Sequence, residues 1–322
     1  MGFFLSIKVT KFIHENTTIW DKFINSSNNG TLFHYREFLN YHENVEFEDH
    51  SLLFYNGNKL VAVLPAVVKD NIFSSHPGIS FGGVIHKEHL SFANAQSIIN
   101  ALIEYAKQIS CKQVQITLPP TCYNKINSDY IEFCLLQLDF QYKRIELSNI
   151  LKLDTDFNMV YEKYKPSARQ AVRKAEKSNV VINQSTNLND FYTLLSNNLS
   201  LRHNVSPTHT LSELKKLITL FPNQINLFTA NLDDEMIAGV INFICNQNTI
   251  LAFYISHNNN FQHMRPLNLL FTQLFKWAID NKYKYYDFGL FTVFGEPNLS
   301  LARFKESFGT DGLFRKTMIL EL

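Results

Sequence analysis

In PSARQAVRKAEK (Pro166–Lys177), Arg169, Arg173 and Lys177 recur at every fourth residue, so a helix would carry three cations along one face. Such a stripe suits a pyrophosphate, and the two arginines are the better ligands because a guanidinium grips a phosphate through two parallel N–H bonds. The competing reading is a solvated amphipathic helix with Glu176 as internal counterion. Further on, HNNNFQHMRPLN (257–268) runs into a helix whose first turn holds Pro266. The N–H groups at that helix start, helped by Arg265, could hold phosphates. Asp287 at a strand end, His203 in a polar stretch and His257 are the candidates for taking a proton from an attacking amine. Arg202, beside His203, is a candidate substrate contact. So are Phe81 and Gly82, where paired glycines at a strand let a ligand come close.

Several chemistries lack their residues. There is no H-E-x-x-H, no G-x-x-x-x-G-K-[ST] and no G-x-S-x-G, so zinc proteolysis, P-loop and serine-hydrolase mechanisms have no support. Without a poised nucleophile, direct transfer with no covalent enzyme intermediate is the simplest route. The eleven histidines are scattered and no metal site is expected.

The elements that must position these residues come in a repeated order. LLFYNGNKLVAVLPAVV (52–68) reads as a hairpin turning at Asn56-Gly57, and INLFTANLDDEMIAGVINFI (225–244) as another turning at Asp233-Asp234. A strand and a helix follow in each half, ISFGGVI with NAQSIINALIEYAKQ and TILAFYIS with PLNLLFTQLFKWAIDN, which puts Phe81 opposite Phe253. A second strand comes next, from Val114 in one half and Tyr285 in the other. FCLLQLDFQYKRIELSNILKL and LARFKESFGTDGLFRKTMILEL then close the halves alike. Each half reads as a mixed, mostly antiparallel sheet with helices on both faces, an α/β (α+β) class. Residues 1–155 and 156–322 are the expected domains. The Asn-, Ser- and Thr-rich stretch SNNLSLRHNVSPTHTLSELKKLI has no counterpart in the first half and is expected to be an inserted binding loop.

A chain of 322 residues suits two domains, and its composition, 45% hydrophobic and 18% charged, is that of a folded protein. A net charge of +1 provides no global field for nucleic acid or membrane, so an anionic ligand must be caught locally. The apolar stretch before Lys8 is too short for a signal-peptide core, no stretch is long enough to span a membrane, and the four cysteines form no C-x-x-C pair. A cytoplasmic protein with reduced cysteines is expected.

The order of elements, the basic helix 166–177, the run Asp287-Phe288-Gly289 and the closing RFKESFG (303–309) resemble the tandem GNAT-fold acyltransferases. That group includes the Fem-type peptidyltransferases and N-acyltransferases acting on amino sugars of surface polysaccharides. The resemblance implies a donor site where two parallel strands splay, here 250–256 and 285–290, leaving a backbone amide for the acyl carbonyl. A donor aimed at the developing oxyanion is commonly worth about 3 to 4 kcal/mol. It also implies acyl-CoA bound at Tyr254, Ile255, His257, Arg265 and Asn268, and it brings Lys305 toward the catalytic site beside Asp287 and His203. The implied reaction acylates the amine of a nucleotide-linked amino sugar for bacterial surface polysaccharide synthesis. The Fem-type alternative takes aminoacyl-tRNA, but no long heptad-patterned arm is present. A non-catalytic binding protein is the third reading.

Overall fold

The computed structural model describes residues 7–42, 47–203, 206–293 and 295–322, without the side chains of 201–203 and 293. In chain order the first half contains β1 (Ile7–Lys11), α1 (Thr17–Ser26), α2 (Arg36–Leu39), β2 (Leu52–Asn56), β3 (Lys59–Leu64), β4 (Ala66–Lys69), β5 (Ile72–Ser75), β6 (Ile85–His86), α3 (Phe92–Gln108), β7 (Gln113–Leu118) and α4 (Tyr130–Gln137). The second opens with β8 (Gln141–Lys152), α5 (Phe157–Glu162), α6 (Pro166–Lys177), β9 (Val181–Ser185), α7 (Leu188–His203) and α8 (Leu211–Leu220). It continues with β10 (Ile225–Leu232), β11 (Glu235–Ile244), β12 (Thr249–His257), α9 (Pro266–Asp280), β13 (Tyr285–Leu290), β14 (Thr292–Val293), β15 (Glu296–Pro297), α10 (Leu299–Glu306) and β16 (Asp311–Glu321).

Two compact units form, Met1–Glu146 with Phe314–Leu322, and Leu147–Leu313. No single cut in the chain separates them, because the closing strands are exchanged. In the first unit Lys316 to Glu321 of β16 pair antiparallel with β7, and Met318 joins the first core. In the second, Ser148 and Ile150 to Lys152 of β8 pair antiparallel with β13. Alternating closing strands of the same pattern are interchangeable by period alone, so only the tertiary pairing assigns them.

Both hairpins form where the turn residues place them. Gly57 (φ 58°) turns β2 into β3, while Asp233 (φ 46°) and Asp234 (φ 68°) turn β10 into β11. Two consecutive positive φ values give the right-handed twist that a two-residue hairpin needs. The strand expected at ISFGGVI is not where the repeat predicts it. Of that run only its last residue, Ile85, is in a strand, β6, which pairs with β3, and the strand parallel to β7 is the earlier β5. Gly82 and Gly83 break the run: Gly83 sits at φ 78°, and a Cβ on Gly82 would lie 2.9 Å from Ser75 Cβ.

The stretch expected to be an inserted loop is mostly helical. Leu188, Phe191 and Leu195 lie at helical spacing and are buried on one face of α7. Thr210 and Glu213 close a capping box at the start of α8. The core of the second unit gathers Leu270, Phe271, Leu274 and Phe275 of α9 against Tyr286 and Phe288 of β13 and Phe308. Among the described residues no helix is long and apolar enough to cross a membrane.

Candidate active site

The site lies within the second unit, where a parallel pair of strands, β12 and β13, comes apart. Thr249, Ile250 and Leu251 of β12 pair with Tyr285, Tyr286 and Asp287 of β13, and the pairing stops there although β12 continues to His257. On the other side of β12 a bulge lets Phe253 fall between the pairs Asn242↔Ala252 and Ile241↔Tyr254. A bulge twists its strand and re-aims the groups beside it. Strand β13 leaves its other neighbour at the same level, with a register shift between Asp287 and Leu290. Below the parting, the Tyr286 hydroxyl donates to Asn242 Oδ1 at 2.5 Å, and burial holds its pKa well above the usual phenol value.

Gly289, at φ 72°, is the turning point, and its backbone groups are satisfied without reaching back to β12. Its N–H donates to Asp287 Oδ1 at 2.6 Å, and its carbonyl accepts from Lys305 Nζ at 2.8 Å. Lys305, 2% exposed, donates a second bond to Leu290 O at 2.8 Å. Asp287, fully buried, also accepts from Ser148 Oγ at 2.6 Å. A buried ammonium and a buried carboxylate are costly unless hydrogen-bonded, and here those bonds shape the backbone that holds the gap open.

The counterpart of Gly289 in the first unit, by register from Gln113 and Tyr285, is Thr117. There the parting is bridged. Thr117 N donates to Ser75 Oγ at 2.8 Å, and Thr117 O accepts from Gly82 N at 3.2 Å. Phe81 fills the space alongside: it is 1% exposed, packs on Phe33 and Tyr123, and takes a hydrogen bond from buried His34 at its carbonyl.

Beside the open parting lies a cavity of about 400 Å³. Leu195 and Asn198 come from α7, Ile255 and His257 from the free end of β12, Arg265 and Asn268 from the start of α9, and Asn298 and Phe304 from α10. Arg265 precedes Pro266 in the left-handed conformation (φ 61°, ψ 40°), which stops the turn Asn259–Met264 and starts α9 in a new direction. A non-glycine residue held there is strained, and such positions gather at ligand sites. Asn198 Nδ2 donates to Ser256 Oγ (3.1 Å) and to His257 O (3.3 Å), while its Oδ1 is buried without a hydrogen-bond partner. That oxygen can accept an N–H from a ligand.

Of the residues singled out in the sequence, Ile255, His257, Arg265 and Asn268 meet at this cavity. Asp287 and Lys305 meet at Gly289. Tyr254 does not line the cavity: its hydroxyl contacts His209 Nδ1 at 2.8 Å and accepts from His209 N, and burial pushes its pKa up to about 12. Arg173 lines a neighbouring groove with Arg265, and Arg169 is not among the lining residues. Phe81 and Gly82 sit in the first unit's bridged parting. The side chains of Arg202 and His203 lie outside the described residues. Sequence reasoning missed Ser148, Asn198 and Asn298. Only Asn298 carried a local signal, as the cap that accepts from Leu301 N at the start of α10.

Residues 162–305 match the acetyltransferase (GNAT) domain family, so the chain carries an acyltransferase domain. No curated protein matches the sequence. Among solved structures, that of FemX is similar over 98% of this chain and 97% of its own, with 14% identity and a TM-score of 0.72. The C-terminal domain of a putative lysylphosphatidylglycerol synthetase from Agrobacterium fabrum aligns over 95% and 91%, with 9% identity and a TM-score of 0.62. A tandem GNAT protein from the clavulanic acid biosynthesis pathway aligns over 98% of both chains, with 9% identity and a TM-score of 0.55. These likenesses are of fold, and the fold is the tandem GNAT arrangement, a mixed α/β architecture with two GNAT-like lobes.

Proposed function

We propose that the chain is an N-acyltransferase that moves an acyl group from a CoA thioester to the amine of a nucleotide-linked amino sugar. The observation that carries this reading is the open parting after Leu251 and Asp287 with a 400 Å³ cavity beside it. An acyl carbonyl entering there meets backbone N–H groups released from sheet pairing, which polarise it for attack. The amine nitrogen bonds to the carbonyl carbon, the carbon–sulfur bond breaks, and the thiolate leaves while the amine gives up a proton. Of the candidate bases, His257 lines the cavity, whereas Asp287 is not among the lining residues and its Oδ1 accepts from both Ser148 and Gly289. The unpaired Asn198 Oδ1 supports a donor with an amide N–H in its arm. In the first unit the bridging of Thr117 by Ser75 and Gly82 supports assigning the donor to the second unit alone. The amino-sugar acceptor, a cytoplasmic place of action and a role in surface polysaccharide synthesis rest on the resemblance of 166–177, 287–289 and 303–309 to that group.

A Fem-type reading, with aminoacyl-tRNA as donor and a peptidoglycan precursor as acceptor, is the second proposal, favoured by the likeness to FemX along nearly the whole chain. Thermal-shift measurements on the full chain with acyl-CoAs, nucleotide amino sugars and charged tRNA separate the two, followed by chromatography of acylated products. Stabilisation by acyl-CoA and acylation of a nucleotide amino sugar are expected. Stabilisation by tRNA alone transfers the proposal to the Fem-type reaction, and no response to any donor overturns both.

A further inference from the structure

In the first unit, helix α4 is apolar on both sides. Ile131, Cys134 and Leu135 turn inward and join the core. Tyr130, Phe133 and Leu136 recur at every third residue on the outward side, where a surface helix carries polar groups, and are 46%, 48% and 43% exposed. A helix that is apolar all round belongs in an enclosed place. The face extends beyond the helix. Phe92, at the start of α3, sets its ring 5.8 Å from Tyr130 and 5.9 Å from Phe133. Tyr142 of β8 donates its hydroxyl to Glu132 at 2.6 Å, and Lys316 of β16 donates to the same carboxylate at 2.6 and 2.8 Å. Phe314 points to the same side of β16 as Lys316, because strand side chains alternate. Lys316 Nζ lies 5.8 Å from its ring centre. Phe92, Tyr130, Phe133, Leu136, Tyr142 and Phe314 therefore form one exposed band, and Glu132 within it is answered by the chain's own Lys316.

A partner for this band has no charge to neutralise. The stretch Ile126 to Gln141 holds Asp129, Glu132 and Asp139 and neither Lys nor Arg, whereas a helix that lies on a lipid surface carries cations beside its apolar face. Size points the same way. Side chains of about 200 Å², a little under half exposed, contribute about 90 Å² each, so the six present about 500 Å² of apolar surface. A stable interface buries about 800 Å² on each partner, of which about 60% is apolar, so the band matches one side of such an interface. We propose that this face is the contact of a symmetric dimer, in which a second copy of the chain presents the same band across a two-fold axis. Uncharged aromatic surface then meets its own kind, with the rings at the centre as anchors. Asp129 and Asp139, which make no ion pair among the described residues, fall at the two ends of α4, on the rim.

The test is sedimentation velocity of the full chain across roughly 1 to 100 μM, because self-association follows mass action. Wild type is expected to sediment as a dimer at the upper end and to dissociate on dilution. Phe133→Glu is expected to weaken association at least about a hundredfold, since the buried charge enters twice across a two-fold axis. Tyr130→Ser/Leu136→Ser, which adds no charge, is expected to weaken it at least about tenfold. Met159→Ser, at an apolar position of the second unit that is 51% exposed, is expected to leave it unchanged. The substituted side chains face solvent in the single chain, so thermal midpoints close to wild type at the lowest concentration show that the separated chains stay folded. Wild type that remains a monomer throughout, or a folded Tyr130→Ser/Leu136→Ser variant that dimerises like wild type, overturns the proposal, as does loss of the dimer on Met159→Ser. A monomer that floats with phosphatidylcholine vesicles, and no longer does so as Phe133→Glu, gives the face to lipid and overturns the dimer too.

Discussion

Ser148→Ala is the smallest change that tests whether buried hydrogen bonds hold the parting open. Ser148 is fully buried, and its hydroxyl donates to the equally buried Asp287 carboxylate at 2.6 Å. The substitution removes one donor from a buried charge and leaves almost no cavity. Hydrogen bonds to charged groups contribute about 1.5 to 3 kcal/mol, so a loss of about 2 kcal/mol is expected. In a unit of this size that lowers the thermal midpoint by about 4 to 8 °C. The two tryptophans divide between the units, Trp20 in the first and Trp277 in the second, so urea unfolding followed by Trp277 fluorescence in a Trp20→Phe background reads the affected unit. The midpoint should fall with the slope against urea unchanged. Asp287→Asn in the same background should also destabilise, because it keeps an acceptor for Gly289 N–H but loses the charge. A shift below about 0.5 kcal/mol for Ser148→Ala would refute the reasoning, since the hydroxyl would then contribute no more than a solvent-facing one.

Arg265→Gly separates backbone from side chain: glycine accepts φ 61° without strain, so stability should stay within about 1 kcal/mol of wild type while affinity for the donor falls, and unchanged donor affinity would deny the guanidinium a role. Gly309→Ala should cost at least about 2 kcal/mol, because its φ is 82° and a Cβ would lie 2.5 Å from Lys163 Cβ; calorimetric melting at wild-type temperature would contradict that. His34 and His76 are held neutral by burial, each with its pKa lowered to about 4, and Thr31 N–H donates to His34 Nδ1 where a second proton would have to go. The unfolded chain binds those protons near pH 6.5, so the stabilisation is complete above that pH. It declines as pH falls toward 4, by up to about 3 kcal/mol per group. Trp20 fluorescence during thermal unfolding at pH 7, 5.5 and 4.5 should follow this decline, and a midpoint independent of pH across the window would rule it out.

Local pattern was enough for the elements whose causes are local. The hairpin turns at Gly57 and Asp233-Asp234, the amphipathic helix 166–177 and the proline-led start of α9 all appear where residue type and period place them. Two expectations failed where a competing local preference won. Gly82 and Gly83 dissolve a run that looks like a strand, and the end of α7 and most of α8 take up much of a polar stretch that looks like a loop. Ile255, His257, Arg265 and Asn268 were legible as site candidates because they follow one another along a strand end and a helix start.

By itself the sequence determined the kinds of elements, their repeated order and the cationic face of α6, because periodicity and turn chemistry act over a few residues. Only the tertiary structure decided which closing strand completes which sheet, that Ser148 reaches Asp287 and Lys305 reaches Gly289, and that one parting is bridged by Ser75 and Gly82 while the other stays open. Those outcomes depend on hydrogen bonds between residues far apart in the chain, and a buried donor takes whichever acceptor the packing brings within 3 Å, a choice that no local pattern encodes.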